Sequence, residues 1–483
     1  MTGSWENVDA FYLVAAPEIA LLTLLCAVLI ADLFVDDEHR RVTFWLAIGS
    51  VLVTMYLAFV SGQESRVVIF DGAYVSDSLS QLLKVAAAGL VAIAFLYARD
   101  YLQSNDLHRG EFYILGLFGL LGIMIMISAN SLLTMYLGLE TLALSLYALV
   151  AIDRNNAISA ESAMKYFVLG AIASGCLLYG ISWIYGVTGT LEFDAMAAAI
   201  TANPALNDLS LWFGLAFLVV GIAFKFGAVP FHMWLPDVYQ GARTPITLYI
   251  ASAPKLAALA LILRVLVDGL EDLHGVWDDM IMVIAVLSLL VGNIVAIAQK
   301  NIKRMLGYST IAHVGFILLG VFCGTPKGYA AALFYTLTYV IAAAAASGVI
   351  IVMSRRGYEA QKLGDFKGLN ARSPWFSLMM MCVMLSLAGI PPFIGFFGKL
   401  NVIDAVLSAG FTGLAVLMVL ASVVGAYYYL RVIWYMYFEP AEDQAVLQAG
   451  FDTRVVLSLN CVAVLALGLA PGWLWALCAQ VLG

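Results

Sequence analysis

The chain is 483 residues long, 63% hydrophobic and 12% charged, with a mean hydropathy of +0.95. A soluble domain is roughly half apolar and about a quarter charged, so the composition excludes one and points to an integral membrane protein. The net charge of -8 offers no basic face for nucleic acid, and six scattered cysteines without a C-x-x-C pair exclude a disulfide framework and a cysteine-ligated metal or iron–sulfur centre.

The first sixteen residues carry Glu6 and Asp9 and lack a basic n-region, so the first apolar run is expected to stay as a span rather than leave as a signal peptide. A spanning helix needs about 20 mostly apolar residues. Fourteen spans are predicted, starting near Phe11, Val42, Ser78, Phe112, Ser131, Glu161, Ser210, Ile246, Met280, Met305, Ala330, Phe376, Phe411 and Val455. The polar segments between them are too short for a soluble domain, which predicts an all-α polytopic protein with one membrane domain over 1–483.

With the N-terminus placed outside, sixteen lysines and arginines fall on the odd-to-even connections and their flanks, Lys303 among them. The other side keeps only Arg66, Arg264 and Lys327. Basic loops stay cytoplasmic, so both termini are expected on the periplasmic side of a bacterial inner membrane.

Five lysines fit neither side: Lys84, Lys165, Lys225, Lys255 and Lys399, and Glu140 interrupts the apolar stretch Leu132–Ala151. An ionisable group at bilayer depth costs about 2.5–3.5 kcal/mol on insertion scales and marks a functional site by default. Lys84 lies early in its span and is expected to snorkel to the interface. Lys165 follows Glu161 by four residues, which fits either a structural pair on one helical face or a transport role. A desolvated lysine holds its proton weakly and an approaching carboxylate restores that hold, whereas arginine does not titrate. Glu140, Lys225, Lys255 and Lys399 therefore suit proton transfer.

Two motifs of the form G-x-x-P-F, Gly227–Phe231 and Gly389–Phe393, interrupt apolar spans near Lys225 and Lys399. Proline removes a helical hydrogen bond, and irregular backbone at that depth is tolerated only inside protein or beside a wet cavity. Their spacing, with the weaker pair L-G-L-E-T at Leu137 and L-G-Y-S-T at Leu306, suggests two inverted five-helix repeats, each with one broken helix. The first covers about 111–268 and the second about 277–437, with flanking helices at 11–98 and 454–480. His232, just after the first break, and His313 are either hydrogen-bonded core residues or proton-transfer groups. His39, His108 and His274 fall in loops and are expected to be solvated.

The run F-K-F-G-A-V-P-F-H-M-W-L-P-D-V-Y-Q-G-A-R-T-P, Phe224 to Pro245, resembles the signature shared by the antiporter-like membrane subunits of NADH–quinone oxidoreductase (complex I) and the Mrp-type cation/proton antiporters. The resemblance extends over essentially the whole chain. It implies proton transfer by Glu140, Lys225, Lys255, Lys165 and Lys399, coupled to electron transfer in partner subunits; His232 and His313 stay candidates on their own chemistry alone. It also implies that FMN, iron–sulfur clusters and quinone belong to those partners, with no cofactor or metal in this chain. The expected partners are neighbouring antiporter-like and small hydrophobic membrane subunits, a peripheral redox arm and the lipid bilayer, with no nucleic acid. The second break, G-I-P-P-F-I-G-F-F-G-K, resembles the branch of the family whose twelfth helix carries a lysine. Arg243 departs from the pattern, which usually has a proline or small residue there. The alternative reading is an Mrp-type sodium/proton antiporter subunit, for which a single intramembrane acid, Glu140, is a thin cation site.

Overall fold

The helix starts are legible as side chains that accept the unpaired N–H groups of a first turn. Asp77, Asn156, Asp208, Asn301 and Thr325 each accept such a bond at the head of a long apolar helix, and prolines occupy the first turn where a missing N–H costs nothing. The computed structural model describes residues 13–36, 40–63, 65–203, 206, 208–354, 357–442, 447 and 449–482. Glu6, Asp9, the expected first-span start at Phe11, and His39 lie outside the described residues.

In chain order come α1 (Ala16–Asp32), α2 (Arg41–Val60), a hairpin of β1 (Val67–Ile69) and β2 (Tyr74–Ser76), α3 (Ser78–Ser104), α4 (Gly110–Ile127), α5 (Leu132–Val150), α6 (Ala157–Thr188) and the short α7 (Phe193–Ala202). There follow α8 (Leu209–Phe226), α9 (Trp234–Gly241), α10 (Thr244–Ala251), α11 (Ala253–Ile262) with a π-helical end Leu263–Gly269, α12 (His274–Ala298), α13 (Ile302–Phe322) and α14 (Pro326–Met353). The last are α15 (Leu369–Arg372), α16 (Pro374–Ala388), α17 (Ile394–Ser408), α18 (Thr412–Phe438), α19 (Phe451–Leu469) and α20 (Pro471–Leu482).

Among the described residues, twelve helices are long and apolar enough to cross a membrane, counting α10–α11 as one. The other two predicted spans correspond to α1, which has 17 residues, and to the pair α16–α17, which the second break divides into 15-residue halves. Exposed leucines, valines and aromatics ring the outside, as a lipid-facing surface requires. Helices α10, α11, α13 and α14 form the buried centre. Without a hydrophobic force between helices in lipid, close approach depends on small residues. A Cβ on Gly122 of α4 would stand 2.6 Å from the Leu142 nitrogen of α5, and one on Gly292 of α12 would stand 2.6 Å from the Ala312 nitrogen of α13.

One expectation fails for a lysine. Lys84 does not snorkel: it is 3% exposed, with its Nζ 2.6 Å from Glu18 Oε1 and donating to the Tyr74 hydroxyl at 2.8 Å. The hairpin and α1 close over it, a contact between residues 66 positions apart that helix position alone does not reveal. Lys303, counted among the cytoplasmic-side loops and flanks, is also buried, at 1% exposure. His108 is half-buried in its loop, and His274 Nε2 lies 3.2 Å from the Phe322 carbonyl.

Candidate functional site

Both G-x-x-P-F motifs fold alike. A left-handed glycine ends the first half-helix, Gly227 at φ 75° and Gly389 at φ 83°, and the bond into the last proline of each motif is cis. A half-helix that stops inside the protein leaves carbonyls without partners and a partial negative charge at its end. A lysine answers each. Lys255 Nζ donates to the Phe226 carbonyl at the end of α8 at 2.7 Å, and Lys399 Nζ donates to the Ala388 carbonyl at the end of α16 at 2.8 Å.

The two lysines reach these ends from different places. Lys255 comes from the first turn of α11, after a kink at Ser252 (φ -112°, ψ -97°) that the sequence analysis did not predict. Lys399 comes from beyond its own break, on α17. A Cβ on Gly389 would lie 2.8 Å from Lys399 Cδ, so this glycine provides both the turn and the passage for the lysine stem.

Lys225 sits two residues before Gly227 and faces a small cavity between α5, α6 and α8. Glu140, Ser174, Tyr147 and Trp234 line the same cavity. Ser174 hydrogen-bonds Glu140 and lies 3.2 Å from the Tyr136 hydroxyl. Glu140 and Lys225 make no direct ion pair among the described residues, yet lie within electrostatic reach of each other, as do Lys225 and Lys255.

His313 lies at the centre of a second cluster. Its Nδ1 is 2.7 Å from the Tyr335 hydroxyl and its Nε2 is 2.9 Å from the Tyr429 hydroxyl. Tyr429 contacts the Ser309 hydroxyl, Thr310 lies 2.7 Å from the Tyr339 hydroxyl, and Lys399 is within electrostatic reach of His313. A cavity lined by Ala251, Ser309, Thr310, Tyr339 and Leu387 lies between the segment leading to Lys255 and the half-helix that Lys399 holds. The same cavity reaches Thr244 and Lys303 at its other end.

There Lys303 Nζ is 3.1 Å from Glu359 Oε1 and donates to the Ala242 carbonyl at 2.7 Å. The Thr244 hydroxyl donates to Glu359 Oε1 at 2.6 Å. Arg243, the departure from the family pattern, bridges Glu359 at 3.4 Å and Asp153 at 2.6 Å. Burial opposes ionisation of Glu359, but Lys303, Thr244 and Arg243 outweigh it and hold the carboxyl near about 2, below the ordinary 4.5. A depressed carboxylate stabilises the fold above its ordinary value and loses that contribution as pH falls toward 2. Glu359→Gln is therefore expected to cost about 3 kcal/mol at neutral pH. Its deficit against the unmodified chain should shrink between pH 4.5 and about 2. Denaturation followed in detergent across that range checks this; a deficit independent of pH contradicts it.

Of the residues singled out from the sequence, the structure brings Glu140 and Lys225 to one cavity, adds Lys255 beside the same break, and puts His313 near Lys399. Lys165 lies apart. Its side chain is 45% exposed on α6, 2.8 Å from Glu161 and 3.0 Å from Asp237, and Asp237 in turn lies 2.5 Å from Arg304. His232 sits in the first break with its ring 6.5 Å from that of Tyr308, and does not join the lysines. Sequence reasoning missed Tyr335, Tyr339, Tyr429, Ser309, Thr310 and Glu359. A usable signal existed: Tyr335 and Tyr339 stand four apart in an apolar helix, on one face with hydroxyls to satisfy.

Residues 129–425 match the family described as NADH:quinone oxidoreductase/Mrp antiporter, TM. The NADH-quinone oxidoreductase subunit N of Thioalkalivibrio sulfidiphilus (strain HL-EbGR7) is 54% identical over 465 residues, covering 95% of this chain and 96% of that one. The protein of the same name from Ruthia magnifica is 50% identical over 460 residues, covering 95% of each. A chain in respiratory complex I from Thermus thermophilus superposes with a TM-score of 0.82 at 31% identity, over 96% of this chain and 99% of that one. A chain of the Mrp complex from Dietzia sp. DQ12-45-1b shares the fold, with a TM-score of 0.85 at 23% identity over 98% of this chain and 96% of that one.

Proposed function

This chain belongs to the NADH:quinone oxidoreductase/Mrp antiporter transmembrane family, and from that premise we propose that it is subunit N of a bacterial respiratory NADH–quinone oxidoreductase, moving protons while partner subunits carry out the electron chemistry. The relatives of that name, alike over nearly their whole length, favour this reading over an Mrp-type antiporter.

The observation that carries the mechanism is the grouping at the first break: Glu140 and Lys225 on one cavity, and Lys255 on the carbonyl of the residue after Lys225. A proton held on Lys225 Nζ is stabilised while Glu140 stays anionic and close; when that field weakens, the ammonium releases its proton toward Lys255. Lys255 passes it on through the hydroxyl-lined cavity beside Thr310 and Tyr339 to His313, and so to Lys399. Lys165, on the outer face with Asp237, tunes the field around the first break, and His232 is a side group of that break. The two inverted repeats, about 111–268 and 277–437, are part of this reading. It is supported by the matching backbone of the two breaks and the like crossings of α4–α5 and α12–α13.

FMN, the iron–sulfur clusters and quinone are assigned to partner subunits of the peripheral arm and adjoining membrane chains, and the termini to the periplasmic side of the inner membrane. The test is to tag the chain, purify it gently from native membranes and assay NADH–quinone activity. Co-purification of NADH-oxidising, flavin- and iron–sulfur-containing partners is the expected result. Purification with small hydrophobic partners alone, together with exchange of Na⁺ for H⁺ in vesicles, would establish the antiporter reading instead.

A further inference from the structure

Away from the proton-transfer groups, a groove runs between the end of α1 and helices α4 and α5. Arg40, Arg109 and Arg154 stand at its mouth, and Leu29, Leu115 and Phe118 line the wall below them. Two acids share the lining, Asp32 and Glu111. Asp32 is taken by Arg40 at 2.8 Å, while Arg109 and Arg154 enter no ion pair among the described residues. The mouth is therefore net cationic.

We propose that this groove is a binding site for an anionic phospholipid, with the phosphate between Arg109 and Arg154 and an acyl chain along Leu29, Leu115 and Phe118. The order of chemistry along the groove selects this occupant. Two guanidiniums outside any ion pair among the described residues, which with Glu111 leave one net positive charge, stand at the helix ends, where headgroups lie, and apolar side chains continue from them toward the bilayer interior. Guanidinium also matches phosphate in two-point geometry. A protein helix in the same place would need its own acid at the arginine level and apolar residues only below it. Leu29 and Leu33, 37% and 76% exposed, leave the groove open to lipid on its α1 side. The site does not depend on which reading of the proton path holds.

The test uses the intact complex purified from native membranes and a photoactivatable phosphatidylglycerol as probe. Label is expected on peptides spanning 109–118 and 148–154, displaced by unlabelled phosphatidylglycerol but not by phosphatidylcholine. In the double variant Arg109→Gln, Arg154→Gln it should fall at least about tenfold, two basic groups near a membrane surface having been lost. Ala148→Phe, which keeps both arginines and fills the apolar wall where Ala148 lies, should lower the label as well. Label that survives both changes, or that phosphatidylcholine displaces equally well, overturns the proposal. So does crosslinking of the groove to a neighbouring subunit with no lipid label.

Discussion

Lys225→Ala is expected to lower NADH-driven proton uptake at least tenfold, a threshold set below the roughly 10²–10⁴ that a positioned proton-transfer group contributes. The complex should still assemble. Lys225 makes no direct ion pair among the described residues, so its removal leaves no carboxylate stripped of a contact partner, which is what makes deletion from a tight buried pair so costly. Electron input, assayed with an artificial acceptor that bypasses quinone, serves as the control for assembly. Lys225→Arg separates the roles. Arginine keeps the charge and fills the cavity but does not give up its proton, so a structural cation would survive the exchange and a proton carrier would not. Uptake at the level of the unmodified complex in assembled Lys225→Ala would end the assignment.

Glu140→Gln is expected to have a comparable effect by a different route. Glutamine preserves the shape and can still accept the Ser174 hydrogen bond, but it removes the negative charge that acts on Lys225 across the cavity. The lysine then faces a low-dielectric site without its counter-charge, and its hold on the proton no longer varies with the distance to Glu140. Proton uptake should fall at least about tenfold. The decisive variant joins Glu140→Gln with Lys225→Met. If the pair only balances charge in the bilayer, removing both together should restore stability and pumping. If the pair is a proton switch, the double variant stays inactive however well it assembles. Recovery of uptake in the double variant would refute the switch.

The two halves of the chain use their lysines differently, and this bears on where each acts. In the first half Lys225 precedes the left-handed glycine by two residues, whereas the equivalent position before Gly389 is Leu387. Glu140 in L-G-L-E-T has Ser309 as its counterpart in L-G-Y-S-T. The acid and the lysine of the proposed switch therefore have no charged counterpart at the matching positions of the second pair of motifs. The second half offers a histidine between two tyrosine hydroxyls and a lysine supplied from beyond the break.

What the sequence determined by itself was whatever depends on local order along the chain. Hydropathy places the spans because bilayer thickness sets their length. Proline and glycine mark both breaks because they act on their own backbone, and a lysine in an apolar run is conspicuous wherever its partner lies. The tertiary structure alone decided what those groups touch. Lys84 looks free to snorkel until Glu18 and the hairpin close over it, and Lys303 reads as a loop cation until Glu359 is brought against it. Arg243 is an anomaly in a motif until Asp153 lies beside it. The carbonyls that hold Lys255 and Lys399 are backbone atoms identical in every residue, and their role arises only where a half-helix ends inside the protein. Each of these contacts is set by the crossing of helices distant in sequence, and hydropathy and periodicity record how a helix is buried but not which neighbour buries it.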